Sequence, residues 1–61
     1  MANLTTKELG AITDQLASEK VLVAKYRSYA QKTQDPELKS KYEQVASKHT
    51  QHFDKLYAML S

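Results

Sequence analysis

Sixty-one residues with no cysteine and a net charge of +2 bound the chain to one small domain without disulfides or thiolate metal sites. The charge is too slight for a nucleic-acid tail. One glycine and one proline in the whole chain argue against a β-rich or loop-rich fold. No apolar run approaches the roughly 20 residues of a membrane span, and MANLTTKEL lacks the charged-then-apolar form of a signal peptide. A soluble chain, cytoplasmic or otherwise intracellular, is the expectation.

The first element opens at Leu4–Leu9. Thr5 is placed to cap a helix, with Glu8 three residues on to complete a capping box. Leu4 and Leu9 flank the cap as a hydrophobic staple. From there an apolar seam runs at 3-4 spacing through Leu9, Ile12, Leu16, position 19, Val23, Tyr26 and Ala30. This predicts a first helix over about 6–32, a rod of about 40 Å. Leu22 and Tyr29 widen its stripe, and Lys20 and Arg27 flank the other side. Gly10 in its first turns weakens the helix by up to ~1 kcal/mol relative to alanine.

Residues 33–35 read as the turn. Asp35 is a good N-cap, Pro36 suits the first helical position, and Glu37 adds negative charge at the positive helix end. The second helix is expected over about 36–60, with a seam of Leu38, Tyr42, Val45, positions 49 and 52, Leu56 and Met59. Ala46, Phe53 and Leu60 widen it on one side. Lys41, Lys48 and Lys55 line the other.

So short a turn makes the helices antiparallel neighbours. The fold expected is therefore all-α: a single two-helix hairpin domain over 1–61. Both stripes have the width of bundle helices rather than of coiled-coil strands. Two such hairpins are expected to pair as a homodimeric four-helix bundle with two-fold symmetry.

Three seam positions break the apolar pattern: Glu19, His49 and His52. In an antiparallel hairpin turning near residue 34, facing residue numbers sum to roughly 68. Glu19 then faces His49, and His52 is its i+3 neighbour on the same face. Carboxylate and imidazole suit Zn, Fe, Mn, Ni or Cu, so the three are candidate metal ligands, with Fe, Mn or Zn as the leading ions. The plainer reading is a buried Glu19–His49 hydrogen bond that fixes register at some desolvation cost; His52 rotated to a bundle edge is a third, lesser alternative. Sequence leaves all three open. Tyr26, Tyr29, Tyr42 and Tyr57 fit packing. The lysine row fits a solvated edge, so nucleic acid is not an expected partner. Ser18 has neither a base nor oxyanion donors, and no catalytic residue emerges.

The run Leu16-Ala17-Ser18-Glu19-Lys20 followed by Tyr26, the turn Asp35-Pro36-Glu37-Leu38, and the closing His52-Phe53 with Leu56, Tyr57 and Met59 together resemble the Coat F family of bacterial spore-coat proteins. The likeness covers about residues 4–60. It implies a ferritin-like helical hairpin with a structural role in the spore coat and other coat proteins as partners. Glu19 and His52 match ferritin-like metal positions in kind. His49 stands where such bundles carry a glutamate, which weakens the case for two metals side by side. The leading expectation is thus a non-enzymatic structural or interaction protein. A metal-binding bundle is the alternative. By analogy of architecture alone, an RNA-binding hairpin similar to the plasmid-encoded ROP protein is a third.

Overall fold

A computed structural model describes residues 4–60; residues 1–3 and 61, the two ends of the predicted domain, lie outside it. The chain folds into two helices, α1 (Thr6–Lys32) and α2 (Pro36–Ala58), and no strand occurs among the described residues. Each helix start is set by its cap. At α1 the Thr5 Oγ1 accepts from the Glu8 N–H at 3.0 Å, and the Thr5 N–H donates to Glu8 Oε1 at 3.1 Å. Two orphan donors are satisfied reciprocally. At α2 one oxygen, Asp35 Oδ1, accepts from both Glu37 and Leu38 N–H groups, at 2.8 and 3.2 Å, and Pro36 supplies a first helical residue with no donor to satisfy.

Between them the chain leaves α1 through Thr33, whose N–H still reaches the Tyr29 carbonyl. The Thr33 hydroxyl then accepts from the Asp35 N–H at 3.2 Å. This tight reversal lays α2 back along α1, and every long-range contact between elements is made between these two helices. The Cα trace measures 46 × 15 × 11 Å, a slab one helix thick. No helix among the described residues is long and apolar enough to cross a membrane.

The end of α2 differs from its seam. The apolar pattern continues to Leu60, but the helix stops at Ala58, with Met59 as C-cap bonding back to the Leu56 and Tyr57 carbonyls. Apolar periodicity marks a face; it does not say where the last turn tightens.

The register follows the turn. Residues 19 with 49 and 26 with 42 both sum to 68, the value expected for a hairpin turning near residue 34, and both pairs are in contact. Between the helices the buried positions are small or polar: Ala30, Ala46 and Glu19. Leu16, Leu22, Val23, Tyr26, Tyr42, Val45, Phe53 and Leu56 are only half-buried. Leu9, Leu38 and Met59, placed in the seam by spacing, remain exposed. They sit near the helix ends or the turn, and two helices alone enclose only the line between their axes.

Candidate metal centre

Glu19 lies in the middle of α1, on the line that faces α2. Its side chain is 5% exposed. A carboxylate removed from water needs partners for its lone pairs, and two histidines of α2 supply them. His49 Nδ1 lies 3.1 Å from both Glu19 oxygens. A carboxylate accepts, so this contact assigns the ring proton to Nδ1 and makes it a forked donor. His52 Nδ1 approaches Glu19 Oε2 to 3.3 Å. Among the described residues no buried side-chain nitrogen or oxygen lacks a hydrogen-bond partner.

Helical spacing explains why both rings reach one carboxylate. His49 and His52 are one turn apart on one face of α2, with ring centroids 5.7 Å apart and planes at 85°. Their exposure differs: the His49 side chain is 23% exposed and that of His52 58%. His49 is enclosed because Tyr26 stacks on it, centroids 6.2 Å apart and planes within 10°. Tyr26 belongs to a ring cluster with Tyr29 and Tyr42, and Lys25 Nζ sits 5.8 Å from the Tyr29 centroid, within the range of a cation–π contact. The tyrosines therefore lock the orientation of His49 from the turn side. His52 has no such wall. It borders a groove of about 280 Å³ lined by Gln15, Glu19, His52, Lys55 and Leu56.

One ligand atom from each of Glu19, His49 and His52 lies within 4.8 Å of the other two. Donor atoms about 2.1 Å from a tetrahedral ion stand roughly 3.4 Å apart. The two N···O separations of 3.1 and 3.3 Å are close to that, so the carboxylate and each imidazole are spaced as two ligands of one ion are. Two imidazoles and one carboxylate suit a mononuclear divalent transition ion. A pair of ions would need more bridging negative charge than Glu19 carries.

All three residues picked out from the sequence are thus brought together. Of the residues around them, Gln15 is left out by the sequence pattern, which gives Tyr26 and Lys55 only packing and solvated-edge roles. Tyr26 does more than pack, because two turns beyond Glu19 its ring stacks on His49. Gln15 and Lys55 are one turn from Glu19 and His52, spacings that put them beside the triad. Ser18 is exposed. Compared with protein-family models, with curated proteins and with solved structures, the chain matches none of the three.

Proposed function

We propose that the protein is a non-enzymatic structural or interaction module in which two hairpins pair as a homodimeric four-helix bundle, ferritin-like in architecture. The observation that carries this reading is the surface. The chain exposes 4921 Å² at a mass of 6.9 kDa, whereas a folded monomer of that mass exposes roughly 4,000 Å². The difference, roughly 900 Å², is close to the ~800 Å² that each partner contributes to a standard interface. The exposed Val21, Tyr29 and Tyr57 and the half-buried seam residues are the kind of surface a second copy would cover. The resemblance to Coat F proteins adds a place for such a module, a spore coat with other coat proteins as neighbours. Sedimentation equilibrium at micromolar concentration, with helicity measured alongside, tests the pairing. Twice the chain mass is expected. A fully helical monomer overturns it.

A second reading is favoured by one specific observation, the buried carboxylate approached by two imidazole nitrogens. In it Glu19, His49 and His52 hold one divalent ion (Fe, Mn or Zn) within each hairpin. Equilibrium dialysis against Fe(II), Mn(II) and Zn(II) is expected to give one ion per chain, lost in Glu19→Gln and His49→Ala. Intact binding in both variants would end this reading. The RNA-binding alternative rests on architecture alone, and affinity independent of salt and of Lys41, Lys48 and Lys55 would end it.

A further inference from the structure

We infer that an ion held by Glu19, His49 and His52 keeps an open coordination position toward the groove of Gln15, Lys55 and Leu56, and that this position takes a small anion, an inorganic ion or a carboxylate, with the Lys55 ammonium as its counter-charge. This rests on the metal reading above.

Three donors leave a tetrahedral ion one ligand short and an octahedral ion three short. The structure determines from which side the remainder comes. Helix α1 carries Glu19 from one side, and the Glu19 side chain itself is almost wholly enclosed. On the turn side Tyr26 stacks on His49 and closes that approach. The remaining side is the one on which His52 is open to solvent. There the groove of about 280 Å³ begins, with Glu19 and His52 in its own lining. An exogenous ligand of a few atoms fits that volume. A bulky one meets Leu56.

Charge selects the class. One carboxylate against a divalent ion leaves a net positive charge at the site, and neutral imidazoles change nothing. Lys55 adds a second positive charge in the same groove. A lysine beside a metal site repels the ion and attracts an anion, so its placement favours an anionic ligand over neutral water. Gln15 is the one other uncharged donor in the lining. Its amide oxygen is the rival for the open position.

Cobalt(II) is a suitable probe because its visible bands respond to coordination number, and azide is a small anion with no structure of its own to satisfy. Equilibrium dialysis first measures cobalt per chain. Azide is then titrated into the loaded wild type, Lys55→Gln and Gln15→Ala, each checked for helicity. The expected result is one cobalt per chain, a saturable azide-induced band shift, and unchanged azide affinity in Gln15→Ala. In Lys55→Gln the half-saturating azide concentration should rise about tenfold, the effect of losing one nearby unit charge at intermediate dielectric. One cobalt per chain with no azide response overturns the open position while leaving the metal reading intact. A response that appears only in Gln15→Ala gives that position to the amide. Equal azide affinity in Lys55→Gln removes the counter-charge role. Absence of bound cobalt overturns the metal reading and this inference together.

Discussion

Two layers of one seam, with the Val23 position between them, are held by different forces. Toward the turn, Tyr26 and Tyr42 meet across the hairpin with Tyr29 beside them, and Ala30 and Ala46 are buried where the helices come close. Two layers further from the turn, Glu19 meets His49 and His52. The tyrosine layer gains from every apolar area it covers, in any register that covers it. The glutamate layer gains only when particular atoms meet, because an unmatched carboxylate there would carry its full desolvation penalty. The first layer supplies adhesion and the second supplies register. Tyr26 joins them by packing against Tyr42 on one side and His49 on the other.

The sharpest way to break the comparison is to convert the second layer into the first. On the metal reading, Glu19→Leu should bind no metal and should forfeit about 2.7 kcal/mol of metal-induced stabilisation at a metal concentration a hundredfold above Kd. Without metal the double variant Glu19→Leu with His49→Leu should be as stable as wild type or more so, since hydrocarbon in place of both partners of a buried polar pair is often neutral or favourable. Thermal melts with and without zinc read both. A large loss in the metal-free double variant would show that the polar layer contributes adhesion as well. The next effect in size belongs to the close approach of the helices. Ala46→Leu should lose about 2 kcal/mol by overpacking, whereas the exposed control Ala17→Leu should stay within about 0.5 kcal/mol of wild type. Urea melts compare the two, and equal effects would mean that Ala46 is not where the helices meet most closely.

Smaller effects sit at the two caps, which solve one problem by different chemistry. Asp35→Ala removes an oxygen that serves two backbone donors and should lose about 1 kcal/mol, readable in the same melts. At the other cap the Glu8 carboxyl is held below its ordinary 4.5 by the Thr5 backbone N–H first and the Thr5 side chain second. The folded-state value is depressed, so the stabilisation is full above 4.5 and is lost as pH falls through the lower folded-state value. The amide-exchange protection of the first turn of α1, with the intrinsic pH dependence divided out, should therefore fall below that point in the wild type. It should stay nearly flat in Glu8→Gln, and identical profiles would remove Glu8 from the cap.

The caps, the turn and the register were all legible in the sequence for a common reason. Thr5 with Glu8, and Asp35 with Pro36, act over three residues or fewer. Once the turn is placed, antiparallel geometry alone brings 19 opposite 49. What spacing could not supply was depth. Position 52 falls on the seam as surely as position 49, yet His52 is more than half exposed and His49 is not, because enclosure depends on which neighbour leans over the ring. Tyr26 does so for His49, and nothing comparable covers His52. Leu9, Leu38 and Met59 teach the same from the apolar side: a periodic stripe names a face, and a lone pair of helices has too little width to bury it.

That narrowness reaches beyond stability. A slab 11 Å thick has no interior of its own, so whatever seats against the His52 side becomes the wall of the Glu19 pocket. Occupant and wall would then act as coupled ligands. If an ion with its anion favours one arrangement of that face, assembly on the face must alter affinity for the ion by the same factor. In such a chain, chemistry at the triad and occupancy of that face would be two readings of one equilibrium.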